Sequence, residues 1–199
     1  MYVRRLNINN IRSIENFDIR FSAQEDLAGW HVILGANGAG KSSVIRSLAL
    51  ALAGPKEAVA LRQNWNNWVR HDSTSASIKL LVQCHDVDVF TGTGRRADSV
   101  DIELTLRSVE TDIAGIRTEV VATAGRQKAD RAVWGTNSGW FSASFGPFRR
   151  FTGGDQSFDR LFYSNPRLAP HLSAFGEDVA LTEGLRWLRD LRVQQLENG

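Results

Sequence analysis

Polar and apolar residues alternate over residues 17–21, and apolar residues recur among polar ones over residues 2–11. A period of two is typical of a strand with one buried face, so both segments are predicted to be strands. Asn9-Asn10 and Arg12-Ser13 lie between them and are residue types found in turns. We therefore expect the chain to open with two short strands joined by a turn.

A continuous apolar run from Trp30 to Leu34, interrupted only by His31, comes next. Such a run is typical of a strand that is buried on both faces in a parallel sheet, and we predict that structure here. Trp30 is accordingly expected in the core or in an interface. A glycine-rich loop, Gly35–Gly40, follows the run directly.

The segment after the loop has the spacing of a buried helix. Over residues 41–53 apolar side chains cover one wide face, and Arg46 is the only charged residue after Lys41. Gly54-Pro55 then predicts the end of this helix, because the pair is a common helix stop signal.

The rest of the chain divides into a β-rich part and a helical part. Residues 77–124 contain three alternating or β-branched segments, which predict an antiparallel meander of at least three strands. Residues 158–199 are expected to be mainly helical, with helices at Phe158–Tyr163 and Leu181–Leu196. The second helix has apolar residues on one side, so we predict an amphipathic surface helix.

Composition narrows the class of protein without indicating a function. The 199 residues are 42% hydrophobic and 23% charged with a net charge of +2, which is ordinary for a globular domain and excludes a disordered or disulfide-rich chain. Cys84 is the single cysteine, so an internal disulfide and a four-cysteine zinc site are both excluded. The apolar stretch Leu48–Ala53 is too short to cross a membrane, and the first twenty residues lack the apolar core of a secretory signal. We expect a cytoplasmic protein without a membrane partner.

The glycine-rich loop carries the chemistry. Gly35-Ala-Asn-Gly-Ala-Gly-Lys-Ser42 matches the phosphate-binding pattern G-x-x-x-x-G-K-[ST] at every fixed position, between an apolar run and a predicted helix. Glycines let backbone N–H groups approach a triphosphate closely, and the helix N-terminus directs further N–H groups at it. In this pattern Lys41 reaches the β- and γ-phosphates and the Ser42 hydroxyl ligates Mg²⁺. The sequence therefore predicts binding of ATP and Mg²⁺.

The start of the chain resembles the N-terminal lobe of the SMC/RecF/OLD-type ABC ATPases, on the evidence of Asn10-Ile-Arg-Ser-Ile14 and of this loop. Such proteins typically open with a strand, a turn similar to Asn-Phe-Arg-Ser, a second strand and a G-x-N-G-x-G-K-S loop. Asn37 stands at the asparagine position of that loop pattern. Residues 77–124 resemble their antiparallel β-subdomain. The resemblance covers residues 1–54 in detail and extends in outline to about residue 124.

By this resemblance, Arg12 and Ser13 lie near the nucleotide phosphates or base. It also implies that two ATPase heads sandwich two ATP molecules, that hydrolysis resets the dimer, and that DNA is the partner in repair or anti-phage defence. Lys41 is the predicted catalytic residue and Ser42 the predicted Mg²⁺ ligand. The full set of predicted cofactor-binding residues is Arg12, Ser13, Gly35, Ala36, Asn37, Gly38, Ala39, Gly40, Lys41, Ser42 and Ser43.

Three parts of a complete ATPase head of this type are not found in the sequence. No apolar run ends in Asp-Glu as a Walker B strand does, and the nearest approach, Leu80–Asp86, is interrupted by Gln83 and His85. Thr152–Gln156 imitates a signature loop, but no Walker B strand follows it, so we predict a turn. A switch histidine is the third missing part. We expect these parts in a C-terminal lobe or a partner subunit.

The expected fold is an α/β P-loop NTPase, namely an ABC-ATPase-like N-terminal lobe with an antiparallel β-subdomain and C-terminal helices. We predict one ATPase domain over residues 1–199, incomplete by itself, in which residues 1–54 form the nucleotide-binding strands, loop and helix. The complete protein or assembly is expected to hydrolyse ATP.

Two other functions remain open on the sequence. A small P-loop kinase would use the same loop for phosphoryl transfer, with Arg149 or Arg150 of the segment Phe145-Gly-Pro-Phe-Arg-Arg as a lid arginine. The strands ahead of the loop and the long meander argue against a kinase. A non-hydrolysing ATP sensor would bind nucleotide and change its affinity for a partner, and the missing Walker B strand favours this function for the chain alone.

Two further patterns are predicted to be structural. Gly92-Thr-Gly-Arg-Arg-Ala97 fits a relaxed dinucleotide-binding pattern, but a strand rather than a helix is predicted after it, so we expect a hairpin tip with solvated arginines. His85-Asp-Val-Asp88 suggests a metal site, yet on a strand its first and last residues would face opposite sides. We predict a strand end there.

Overall fold

The chain forms two compact units, Met1–Ser142 and Ala143–Gly199. The computed structural model describes residues 1–22, 27–61, 63–93, 95–111, 115–135, 140–147, 161, 164–165, 167–176 and 193.

A five-stranded sheet with antiparallel pairing forms the frame of the first unit, in the order β2-β1-β3-β4-β5. Its strands are β1 (Tyr2–Ile11), β2 (Ile14–Arg20), β3 (Ser75–Gln83), β4 (Ser99–Thr111) and β5 (Gly115–Ala124). The predicted opening strand pair and the predicted meander are both confirmed. They belong to one sheet, because β1 pairs with β3 as well as with β2, and Ile8 therefore lies opposite Ile78.

The two faces of the sheet differ in polarity because side chains alternate along β1, β3 and β4. The polar face carries ion pairs between Arg5 and Asp18 and between Lys79 and Glu103. The apolar face supplies fully buried core residues, namely Ile8, Ile78, Leu80, Val82, Val100, Ile102, Leu104 and Leu106.

Helices cover the apolar face. The helices of this unit are α1 (Lys41–Ala53), α2 (Pro55–Ala60), a short 3₁₀ helix (Trp65–Asn67) and α3 (Arg126–Ala132). Helix α1 has the predicted bounds and contacts β1, β3 and β4. Its last turn is held by Trp134, whose Nε1 donates to the carbonyl oxygen of Ala51 at 2.9 Å. Gly54 ends the helix with a φ of 94°, and a Cβ there would lie 2.9 Å from the Trp134 ring.

The predicted parallel strand at Trp30–Leu34 is wrong, because these residues form no strand. Trp30, Val32 and Leu34 are 100%, 77% and 87% exposed, so Trp30 is not a core residue of this unit. No backbone hydrogen bond joins the segment to another described residue. The physical reason is that a parallel strand needs a parallel neighbour, and the described strands pair only in antiparallel fashion.

The decoy patterns lie in connecting segments. The segment Gly92–Ala97 is followed by β4 rather than by a helix, as predicted. The second pattern lies at the end of β3, as predicted: the strand ends at Gln83 and the residues after it form a turn. Asp88 accepts there from the backbone N–H of His85 at 2.7 Å and from the α-amino group of Met1 at 3.2 Å. In the part of the chain that the structure describes, no three His, Cys, Asp or Glu side chains are grouped as metal ligands.

The second unit is described mainly over residues 143–147 and 167–176, which include a 3₁₀ helix (Ala169–His171) and α4 (Leu172–Phe175). Buried Ser144 and His171 are joined by a hydrogen bond of 2.9 Å between Oγ and Nδ1. The predictions for Arg149, Arg150, Thr152–Gln156, Phe158–Tyr163 and Leu181–Leu196 lie outside the described residues, apart from the single positions Leu161 and Val193. Over the described ranges of both units, every helix is too short or too polar to span a bilayer.

Candidate functional site

The loop Gly35–Gly40 leads directly into α1, and two of its glycines have a left-handed backbone. Gly38 has a φ of 83° and Gly40 a φ of 95°, values that side-chain-bearing residues rarely adopt. A Cβ at Gly38 would meet no heavy atom within 4 Å, so the space beside this part of the loop is open. At Gly40 a Cβ would lie 2.7 Å from Cγ1 of Ile14. Glycine at position 40 is therefore required by conformation and by close packing against the β1–β2 turn.

The start of α1 presents backbone donors that lack partners within the helix. The first helical bond runs from the N–H of Val44 to the carbonyl of Gly40 at 2.9 Å, so the N–H groups of Lys41, Ser42 and Ser43 have no acceptor in the helix. No side chain caps this end, and the first turn carries no acidic residue. The partial positive charge of the helix N-terminus is thus available to an anion.

The side chain of Lys41 lies against its own loop. Its Nζ donates to the carbonyl oxygens of Gly35 and Ala36, both at 2.7 Å. These bonds hold the ammonium group beside the loop. A phosphate group is a charged and therefore stronger acceptor, which would compete with the two carbonyl groups for it.

The β1–β2 turn brings Arg12 and Ser13 to the loop. The Ser13 Oγ lies 3.1 Å from the position that a Cβ of Gly40 would occupy. Arg12 has a φ of 52°, an uncommon value for a residue other than glycine, and Asn10 in the same turn has a φ of 55°. The backbone N–H of Arg12 donates to the backbone carbonyl oxygen of Trp68 at 2.9 Å. The guanidinium carbon of Arg12 lies 4.9 Å from the centre of the Trp68 ring.

The charge of Arg12 is not matched by a carboxylate among the described residues. Its Nε atom is buried without a hydrogen-bond acceptor. Burial lowers the pKa of the Arg12 guanidinium, and the positive charge of Arg46 lowers it further. Two arginine charges therefore act on each other close to the loop. An unpaired, partly buried cation is costly, so it favours an anion at this place.

Arg46, which the sequence alone did not single out, is close enough to Arg12 to lower its pKa. It stands five residues after Lys41 on α1, and its charge is felt at Arg12. The available signal was that it is the only charged residue of the helix after Lys41, which was interpreted only as a sign of burial.

The other predicted residues divide by exposure. Ala36, Asn37, Ala39 and Ser42 are exposed, and the Ser42 hydroxyl at the helix start is an oxygen ligand of the kind that Mg²⁺ prefers. Ser43 is buried, so its backbone N–H rather than its hydroxyl is available to a ligand. The N–H groups at the start of α1, a lysine, Arg12 and a serine hydroxyl fit a magnesium–triphosphate group.

Comparison with known proteins identifies the family of the chain. Residues 5–163 match a family described as an AAA domain. The Septu protein PtuA of Bacillus mycoides (strain KBAB4) is 37% identical over 57 residues, which are 28% of this chain and only 8% of that protein. A solved structure titled "Structural biochemistry of ATP-driven dimerization and DNA stimulated activation of SMC ATPases" is 20% identical, with a TM-score of 0.43 over 66% of this chain and 72% of that chain.

Proposed function

Since this chain belongs to the AAA domain family, we propose that it is the ATP-binding lobe of an SMC/RecF-like ATPase. Binding and hydrolysis of Mg-ATP, with pairing of two heads, would be coupled to DNA repair or anti-phage defence. The observation that carries the proposal is the charge of Arg12, which pairs with no carboxylate among the described residues, beside a loop of the P-loop pattern. Head pairing and the DNA partner are proposed on the resemblance of residues 1–54 to these ATPases.

The proposed roles follow from the chemistry of each group. Backbone N–H groups of the loop and of Ser42 and Ser43 hold the β- and γ-phosphates, and Lys41 exchanges its two carbonyl acceptors for phosphate oxygens. Ser42 would hold Mg²⁺, which when bound neutralises charge on the phosphate oxygens. Arg12 supplies positive charge from the β1–β2 turn.

We further propose that the site is completed by a second lobe or a partner subunit. The sequence contains no apolar run that ends in Asp-Glu, so the carboxylates that hold Mg²⁺ and the attacking water must come from elsewhere. The run Trp30–Leu34 supports this division, because Trp30, Val32 and Leu34 are exposed directly before the loop. Burial of Val32 or Leu34 stabilises an interface by about 1.5–3 kcal/mol each. A strand of the completing lobe is the occupant we propose.

The test is Mg-ATP binding by isothermal titration calorimetry and steady-state ATP hydrolysis, both on this chain. Lys41→Ala should abolish measurable binding, because it removes the positive charge that Lys41 supplies to the phosphates. Lys56→Ala is the matched control, since Lys56 is exposed on α2 and outside the site. We expect binding without turnover in the unchanged chain.

Two results would contradict the proposal in different ways. Unchanged affinity in Lys41→Ala would remove the P-loop assignment. Turnover that is lost in Lys41→Ala would place the catalytic carboxylate within these residues and refute the divided site. A non-hydrolysing ATP sensor predicts the same binding, and it is favoured if an added completing lobe restores no turnover. The kinase alternative depends on Arg149 or Arg150, which lie outside the described residues.

A further inference from the structure

A second concentration of positive charge lies at the other end of the sheet from the P-loop. It surrounds a cavity of about 270 Å³ that we call the cationic cavity. The cavity is lined by Phe90, Arg95, Arg96, Ala97, Lys128 and Arg131.

The distance between the two sites follows from strand pairing. The P-loop contacts Ile14, just beyond the last residue of β1. The cavity segment 90–97 joins the end of β3 to the start of β4, where Gln83 pairs with Tyr2 at the first residue of β1. A strand of ten residues spans roughly 30 Å, so the cavity and the P-loop are separate sites.

Contacts with the protein hold two of the four cations in place. Arg96 donates to the carbonyl oxygens of His85 and Asp86 and lies over the ring of Phe90 at 5.2 Å. Arg96 is exposed, as predicted, and these contacts also fix its position. Arg131 donates through Nε to the carbonyl of Thr91 at 3.2 Å.

Arg131 also contributes a donor that the protein leaves unused. Its Nη2 atom is buried and has no hydrogen-bond acceptor among the described residues. Lys128 precedes Arg131 by three residues on α3, so the two side chains lie on the same helix face. A buried donor without an acceptor is unfavourable, and an anion in this cavity would supply one.

Two nearby carboxylates are engaged in ion pairs with other groups. Asp130 pairs with Arg126 at 3.7 Å, and Asp88 pairs with the α-amino group of Met1 at 3.2 Å. Within the described ranges, none of the four cavity cations forms an ion pair. Four cations and no carboxylate line the cavity, although Asp86 and Asp98 lie close to Arg96 in the sequence.

We infer that the cationic cavity binds phosphate groups of a DNA backbone. Arginine guanidinium groups donate to phosphate oxygens in a planar, bidentate manner, and the exposed Arg95 and Lys128 extend the positive surface beyond a single phosphate. The cavity therefore suits a repeating row of phosphates better than one free anion. The inference deepens the proposed function by placing its DNA contact, and it rests on that function for the choice of DNA.

The test is fluorescence anisotropy of the full chain with a labelled DNA duplex of about 30 base pairs over a range of salt concentrations. The double variant Arg95→Ala/Lys128→Ala changes only exposed side chains, so the fold should be retained. We expect its affinity to fall about tenfold or more and the slope of log K against log salt to become less steep by about 2. Lys56→Ala is the control, because Lys56 is exposed on α2 and does not line the cavity, and it should bind as the unchanged chain does.

Measurements on the same proteins separate this inference from the proposed function. The double variant should bind Mg-ATP normally, and Lys41→Ala should bind DNA normally. Equal DNA affinity in the double variant and the unchanged chain would overturn the cavity assignment, as would an absence of DNA binding at about 50 mM salt. Variant-sensitive binding of inorganic phosphate without DNA binding would also overturn it, in favour of a small phosphate ligand. Loss of Mg-ATP binding alone would bear only on the proposed function.

Discussion

Replacement of Arg12 by glycine should separate nucleotide binding from the stability of the fold. The φ of 52° at Arg12 costs an L-residue roughly 1–2 kcal/mol, which glycine does not incur. The buried Nε without an acceptor costs about 1–3 kcal/mol more. Against these costs stands the contact with the Trp68 ring at 4.9 Å, which contributes about 0.5–2 kcal/mol. The free energy of unfolding of Arg12→Gly should therefore be unchanged or higher, by up to roughly 4 kcal/mol.

Affinity for Mg-ATP should change in the opposite sense. A hydrogen bond to a charged group contributes about 1.5–3 kcal/mol, so loss of a phosphate contact weakens binding roughly 10- to 150-fold. Urea denaturation measures the stability and isothermal titration calorimetry measures the affinity, both on the same preparations.

The matched control lies in the same turn. Asn10 has a φ of 55°, so Asn10→Gly relieves a similar backbone strain without removing a charge and should leave Mg-ATP affinity unchanged. The reasoning is refuted if Arg12→Gly loses more than about 3 kcal/mol of stability while its affinity for Mg-ATP is retained. Arg12 would then be a structural residue of the turn.

Two further predictions concern stability. Burial lowers the pKa of His171 from 6.5 to about 4, so the unfolded chain takes up a proton first. The free energy of unfolding should therefore be highest above pH 6.5 and should fall by about 3 kcal/mol as the pH is lowered to about 4. Urea titrations at a series of pH values should show this decrease, and His171→Gln should remove it. Gly40→Ala should lower the free energy of unfolding by roughly 2 kcal/mol or more, because its Cβ would meet Ile14 at 2.7 Å with φ at 95°. Gly92→Ala, with φ at 83° and nothing within 4 Å, should lose only the backbone part; equal losses in thermal or urea unfolding would contradict the steric argument.

Local patterns predicted the local elements well. The bounds of α1 and the turn between β1 and β2 follow from residues close together in sequence, and the structure has them where they were predicted. Helix α3 was not predicted, because only two of its residues, Ala129 and Ala132, are buried. Two small apolar residues are too few to show a helical period in the sequence. The pairing of β1 with β3 was not predictable, because contacts across more than sixty residues leave no local spacing.

In the candidate site, too, the sequence predicted the local features but not the contacts between distant residues. The loop pattern is contiguous, and the resemblance that it suggested is confirmed at the level of the family by the match over residues 5–163. The neighbourhood of Ser13 and Gly40 entered the sequence analysis only through that resemblance, since nothing in the spacing joins the two. The interaction of Arg12 with Arg46 and the grouping of Arg95 with Arg131 required the folded chain.

The failure at Trp30–Leu34 is the most informative one. A continuous apolar run predicts that its side chains are buried on both faces, but it does not predict which part of the molecule buries them. The described sheet cannot, because its apolar face is already occupied by α1 and its strands pair in antiparallel fashion. In the proposed function, the completing lobe or subunit would cover the three exposed apolar side chains that stand immediately before the loop. The same proposed partner would supply the Asp-Glu pair, so one docking event would bury the run and complete the nucleotide site together.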